Sequence, residues 1–385
     1  MNKIDSLIAH HCPDGVEYRE LGELLNYEQP TKYIVESTIY DNAFSIPVLT
    51  AGQSFILGYT NEIKGRYSAT KKEPVIIFDD FTTSFHWVDF EFKVKSSAMK
   101  ILTAKKNIEI DFRFVFFAMC CINYQPQDHA RQWISVYSKF KIPIPPLPIQ
   151  QEIVNILDKF TQLEAELEAE LEARKVQYEY YKNEIVQNKE ILNFERLGDY
   201  IYFPKTRINA NLLNKENYVG VENLIKDKQG KVMSNYVPTS GEWLEFKKDD
   251  ILIGNIRPYL KKIWLASLRG GTNGDVVVIR IRDDKKEFLS FRFLYFLLSS
   301  DAFFNYYNNL SKGGKMPRGD KNSIFEYKIP MYSIQEQNNY AAMLEKFEML
   351  VNNISSGLPA EITARKKQYE YYRNKLLTFK PLVNE

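Results

Sequence analysis

The 385-residue chain is poor in the features that mark most functional classes. Its three cysteines build no disulfide framework, and the adjacent Cys120 and Cys121 read as reduced core thiols of a cytoplasmic protein. No apolar run is long enough to span a bilayer: the longest, Phe112 to Ile122, already contains Arg113. Met1 to Cys12 carries no cleavable signal pattern. The formal net charge is only +2. That excludes a uniformly basic nucleic-acid coat, because neutralising phosphates needs a local surplus of Lys and Arg. Catalytic signatures are missing too. There is no phosphate-binding G-x-x-x-x-G-K-[ST] loop and no H-E-x-x-H, and His10, His11, His86 and His129 show no metal-ligand spacing. The only Pro-Pro, Pro145-Pro146, precedes Leu147 and not an aromatic residue, so an amino-methylating active site is absent. Pro13-Asp14 with Glu17 has a nuclease-like spacing, but Arg19 stands where a lysine is required. The expectation is a protein that is not an enzyme and needs no cofactor of its own.

What is present is a long internal repeat. With 44% apolar and 26% charged residues, the chain can fill two or three ordinary cores. Tyr and Phe, 25 each, mostly serve as core. Lys141-Ile142-Pro143 returns 187 positions later as Lys328-Ile329-Pro330. The same shift carries Arg131 onto Arg318, Gln150 onto Gln337, and Lys159-Phe160 onto Lys346-Phe347. Ala173-Arg174-Lys175 with Gln177-Tyr178-Glu179-Tyr180-Tyr181 reappears as Ala364-Arg365-Lys366 with Gln368-Tyr369-Glu370-Tyr371-Tyr372. Phe112-Arg113-Phe114 is similar to Phe291-Arg292-Phe293. Similar helical stretches attached to dissimilar globular stretches imply one scaffold displaying two specificities.

From Gln150 to about Gln187 no Pro or Gly interrupts a run of strong helix formers, which predicts a helix roughly 55 Å long. Apolar residues at Ile153, Ile156, Phe160, Leu163, Leu167 and Tyr181 give it a coiled-coil stripe. Pro143, Pro145, Pro146 and Pro148 should keep the entry extended. In the second copy Gly357-Leu358-Pro359 should break the helix and let Pro359 open another. The fold class expected is α+β, an internal pseudo-repeat. Two globular domains, residues 1–143 and 191–330, are separated by two long antiparallel coiled-coil-like helices in spacers 144–190 and 331–385.

Short β-type runs fill each globular part: 46–50, 55–59, 75–78 and 90–94, then 250–254, 262–266 and 276–281. Apolar helical runs follow at about 110–122 and 288–310. The basic residues cluster as a nucleic-acid surface would need. Asn255-Ile256-Arg257 leads into Lys261, and Lys312-Gly313-Gly314-Lys315-Met316-Pro317-Arg318 forms a Gly-rich basic loop. The first part offers Lys64-Gly65-Arg66 and Arg131-Gln132. Candidate DNA contacts are therefore Lys64, Arg66, Arg131, Gln132, Asn255, Arg257, Lys261, Lys312, Lys315 and Arg318, with Arg131 and Arg318 as counterparts. A solvated basic loop would look the same.

Lys141 to Ile153 (Lys-Ile-Pro-Ile-Pro-Pro-Leu-Pro-Ile-Gln-Gln-Glu-Ile) and Gly357 to Tyr372 together resemble the specificity subunit of type I restriction–modification systems, over nearly the whole chain. The resemblance implies two target recognition domains, each reading half of a split double-stranded DNA sequence. It implies methylation subunits, two of them, docked on the helices, and restriction subunits beside them. S-adenosylmethionine, ATP and Mg are then expected on those partners. The first spacer departs from the pattern in lacking the Gly-Leu-Pro break. Two other readings compete: the recognition portion of a single-chain restriction–modification enzyme, and a coiled-coil adaptor without DNA binding. Co-purification with a separate methyltransferase discriminates the first, and salt-dependent DNA binding the second.

Overall fold

The computed structural model describes residues 3–50, 55–187, 193–352 and 356–382. The chain forms two compact units, Met1–Glu166 with Ile362–Glu385, and Leu167–Glu361.

In the first unit four strands, β1 (Leu25–Glu28), β2 (Val75–Asp79), β3 (Phe85–Val88) and β4 (Met99–Ala104), lie in the order β1-β4-β2-β3. In the second, β5 (Ile201–Tyr202), β6 (Ile251–Gly254), β7 (Ile263–Leu265) and β8 (Val276–Ile281) lie in the matching order β5-β8-β6-β7. Both sheets are antiparallel throughout. The central strands are continuous apolar runs because both faces are covered. Ile76 and Phe78 turn towards one core while Val75 and Ile77 face another. Ile251 and Ile253 divide from Leu252 in the same way. A smaller second sheet accompanies each: Ile46–Leu49, Ile56–Thr60, Tyr67–Ser68 and Glu91–Val94 in the first unit, and Arg207–Asn209, Glu242–Phe246 and Gly270–Thr272 in the second.

The apolar helical runs pack on these sheets. Helix α1 (Phe112–Met119) buries Phe114, Val115 and Phe117, and Asp111 caps it by accepting from the amides of Arg113 and Phe114. The run expected as one helix over 288–310 is two, α3 (Phe291–Leu298) and α4 (Asp301–Asn309), numbering the central helix Leu147–Gln187 as α2. Ser299-Ser300 makes the break, with the Ser300 hydroxyl capping α4 through Phe303 N.

Helix α2 contains 41 residues and is about 60 Å long. It begins at Leu147, so Pro148 sits inside its first turn, where no amide partner is needed, and not in the extended entry. Its N-terminal part belongs to the first unit. There Phe160 stacks on Tyr372, 5.6 Å between rings, and Glu164 pairs with Lys366. Both partners lie on α6 (Leu358–Leu376), which runs antiparallel; α5 (Ile334–Asn352) precedes it in the chain. The C-terminal part of α2 belongs to the second unit, where Tyr178 and Tyr181 meet Phe347 of α5. The spacers 144–190 and 331–385 are thus not bodies of their own. Each unit takes helix from both repeats. The chain's last turn also returns to the first unit: Val16 N–H donates to Lys380 O, Leu382 N–H to Val16 O, and Leu377 and Phe379 enter the core.

The repeated motifs now have structural reasons. Each Lys-Ile-Pro forms a short strand, pairing with Glu17–Glu20 or Phe194–Arg196, where proline is tolerated at an edge. Gln150 and Gln337 are both fully buried. Gln150 Oε1 accepts from Asp111 N and its Nε2 donates to Pro145 O. Gln337 Oε1 accepts from Ser290 N, and its Nε2 donates to Phe288 O and Tyr332 O. Each glutamine staples the start of α1 or α3 to the entry of a long helix. Replacing Gln337 by alanine orphans the buried Ser290 N–H at about 1–3 kcal/mol and removes two part-buried bonds, to Phe288 O and Tyr332 O, at about 0.5–1.5 kcal/mol each, so a loss of about 2–6 kcal/mol is expected. Urea unfolding that shows less than about 1 kcal/mol would remove the staple.

Candidate nucleic-acid interface

In the second unit two basic segments, far apart in sequence, are zipped together by backbone. Arg257 N–H donates to Pro317 O, Gly319 N–H donates to Asn255 O, and Ile256 bridges Arg318. Lys312 and Arg318 exchange both backbone hydrogen bonds at 2.8 Å, closing a hairpin-like loop whose exposed tip carries Lys315. Gly313 at the tip has φ +108°, a conformation side chains resist. Arg257 itself is left-handed (φ 53°), held there by its pairing with Pro317, and its Nε is buried without a partner.

This loop forms one wall of a cavity of about 1110 Å³. Asn255, Lys312 and Arg318 line it, as do Lys205, Arg207, Lys321, Asn273, Asn322 and Trp243, which the sequence reading did not single out. Their local sequence holds no signal; the fold brings them to the same rim. Arg318 is more than half exposed, steered by an ion pair of 2.8 Å to Asp275. Asn255 Oδ1 accepts from the Tyr307 hydroxyl, which burial pushes well above the ordinary phenol range and so keeps as a donor. The backbone N–H of Asn322 and the Lys312 ammonium hold the Asp320 carboxyl below its usual value, leaving it ionised. Five cationic side chains converge on a groove that also carries amides and an indole. That arrangement suits phosphate contacts at the rim and hydrogen bonding to base edges inside.

Lys261 is not part of this groove. Its ammonium pairs with Asp301 at 2.8 Å, as does Lys228 at 3.1 Å. Burial alone would raise the Asp301 carboxyl, and the two lysines bring it below its ordinary value. Lys261 is therefore a structural ion-pair member.

In the first unit Arg131 is exposed and immediately precedes the short helix Gln132–Ser135. Gln132 N–H donates to the carbonyl of Asp80, the residue following β2. In the second unit Gly319 N–H donates to the carbonyl of Asn255, the residue following β6. Arg131 and Arg318 thus occupy one structural position, each a residue before that anchoring amide. Gln132, expected to face DNA, is instead turned inward. It is 2% exposed, accepts from Tyr124 Oη at 2.8 Å, and donates to Asp128 and Ala130. Beneath it Asp80 pairs with Lys100 inside the core. Lys64 is exposed and Arg66 pairs with Glu91 at 3.1 Å; both flank Gly65 (φ +67°) in a turn of the smaller sheet. The cysteine expectation is half right: all three are free, Cys120 is partly buried, but Cys121 is exposed. Among the described residues no His, Cys, Asp or Glu group could hold a metal ion, and no helix is long and apolar enough to cross a membrane.

Two units that repeat one strand order, each with an exposed arginine just before an equivalent anchoring amide and different side chains around it, are the arrangement expected of a DNA sequence-specificity protein. The chain belongs to the family described as type I restriction modification DNA specificity domain, whose model matches residues 13–173 and again 175–364. It is 37% identical over 401 residues to the type I restriction enzyme EcoR124I/EcoR124II specificity subunit of Escherichia coli, covering 95% of each chain. A type I restriction enzyme specificity subunit of Haemophilus influenzae, itself named putative, is 25% identical, with 94% of this chain and 96% of that one covered. Among solved structures, the type I restriction-modification S subunit of M. genitalium superposes with a TM-score of 0.58 at 13% identity, over 94% of this chain and 96% of that one. A chain from a structure on complex assembly of the type I system gives 0.53 at 15% identity, over 95% and 98%.

Proposed function

We propose that this chain reads a split DNA target with its two units, one half-site each, and itself catalyses nothing. Methylation subunits, two per chain, and restriction subunits then act where it binds. They supply S-adenosylmethionine, ATP and Mg, and the complex works in the cytoplasm. The observation that carries this reading is the shared position of Arg131 and Arg318 on one repeated strand order, with different side chains around each. A common arginine fits a common element of the ligand, the phosphate backbone; the divergent surroundings fit two different base sequences. The family's relatives are named specificity subunits, which disfavours the adaptor and the single-chain enzyme.

The test is DNA binding by Arg131→Ala, Arg318→Ala and Lys315→Ala proteins in the assembled methyltransferase, titrated with salt. A lost phosphate contact should weaken binding to all sequences and lower the log–log salt slope by about 0.9. A lost bidentate base contact should cost roughly 1–3 kcal/mol of discrimination at one position. Unchanged binding by both arginine variants would assign them to structure and leave the reading without its main support.

A further inference from the structure

Both units carry the same unpaired lysine turn at the end of the sheet remote from the arginine loops. Lys71-Lys72 and Lys247-Lys248 each stand two residues before the central strand, β2 or β6. The turn is locked in both cases. Thr70 and Glu73 exchange backbone hydrogen bonds of 3.1 Å around the first pair. Around the second, Lys247 N–H donates to Asp250 Oδ2 at 2.7 Å and Asp250 N–H to Lys247 O. The four lysines are exposed. Each pair rims a concavity of mixed lining at the start of the packed helix, where apolar side chains stand beside further charges, Lys105, Lys106 and Arg113 in the first unit and Arg280 and Lys286 in the second. In the first unit the cavity measures about 1230 Å³, with Trp87 and Phe112 5.2 Å apart in its wall. In the second it measures about 460 Å³, with Leu289, Phe291 and Ile334.

A feature repeated on two otherwise divergent heads faces something common to both. DNA backbone is common, but these lysines lie a strand's length, roughly 16 Å, from the loops of Arg131 and Arg318. The apolar and aromatic side chains in each lining add nothing to the binding of a phosphate, whereas they suit the side chain of a protein. We propose that the two lysine-rimmed cavities are equivalent docking sites for one protein partner, which inserts an apolar side chain flanked by carboxylates into each. The proposal rests on the reading of this chain as a specificity subunit with two methylation partners.

The probe is the methylation subunit of the same type I system, titrated onto this chain and followed by sedimentation velocity at low and high salt. K71E/K72E is expected to weaken uptake of one copy about 10- to 30-fold and leave the other unchanged, with two exposed attractions turned into repulsions. K247E/K248E should do the same for the other copy, and the lysine-to-glutamine versions about half as much on a logarithmic scale. The substituted residues are exposed, and unchanged thermal unfolding of the free chain confirms that the fold is intact. Uptake of both copies unaffected by every variant overturns the proposal. So does normal uptake with weaker DNA binding and a smaller salt slope, which would give these lysines to phosphates. A wild-type chain that takes up no methylation subunit overturns the functional reading as well, so the two failures are distinguishable.

Discussion

Exchanging residues 1–140 for the corresponding part of another specificity subunit is expected to change one half of the recognised sequence and leave the other half intact. The first unit's reading surface lies wholly inside that segment: its four-stranded sheet, its second sheet and the Arg131 loop all end before Lys141. What the exchange must preserve is the seam. Glu17–Glu20 pairs with Lys141–Ile144 through backbone, from Glu17↔Ile144 to Glu20↔Lys141, so this contact tolerates a change of side chains. The apolar part of the seam is less tolerant, because Leu21, Phe114 and Phe117 on the exchanged side pack in one cluster with Ile142, Ile149, Leu157, Leu377 and Phe379 on the retained side. A mismatched donor should therefore lose stability by about 2–5 kcal/mol for each large side chain lost there, and change specificity only where it folds. Sequencing the methylated sites in cells carrying the hybrid reads the result. A change in both halves, or in neither, would refute the assignment of one half-site to each unit.

The sequence made some of this architecture visible and hid the rest for identifiable reasons. The long helix was legible because about forty residues of good helix formers without Pro or Gly leave little alternative, and the observed Leu147–Gln187 differs from the expected start by one turn. The central strands were legible as apolar runs between turn residues. The repeat pointed to Arg131 and Arg318, and the structure gives them one position. It also exposed Gln150 and Gln337 as a pair, yet no pattern says that a glutamine is a buried staple. The misplacements share one cause. Lys261 has its partner, Asp301, forty residues away, and Gln132 is satisfied by Tyr124, Asp128 and Ala130. A polar residue in a loop shows its type in the sequence but not whether the fold supplies it with a partner. The return of the C-terminus was hidden for a similar reason: two backbone hydrogen bonds at Val16, and Tyr18 Oη on Phe379 O across 361 positions, leave no periodicity to detect.

Inserting Glu-Ala-Glu-Leu after Leu167 is expected to lengthen the unspecified gap between the two half-sites while both half-sites stay unchanged. The tract that receives it is already written in fours: Leu163-Glu164-Ala165-Glu166, Leu167-Glu168-Ala169-Glu170, Leu171-Glu172-Ala173-Arg174. Between Leu157 and Tyr178 no residue of α2 is fully buried, and the three leucines are half-exposed at intervals of four. A further tetrad thus extends an existing pattern without displacing a core side chain. The contacts that hold α2 to each unit lie on either side of it, Phe160 with Tyr372 in the first and Tyr178 and Tyr181 with Phe347 in the second. Four residues add about 6 Å along the helix and a net rotation of about 40°. One base pair of duplex advances about 3.4 Å and turns about 35°. The translation therefore matches nearly two base pairs and the rotation about one, so the gap should grow by one to two. Methylated sites mapped in cells expressing the insertion mutant decide the matter: an unaltered gap would mean that α2 does not set the spacing, and altered half-sites would mean that the insertion had disturbed the reading surfaces themselves.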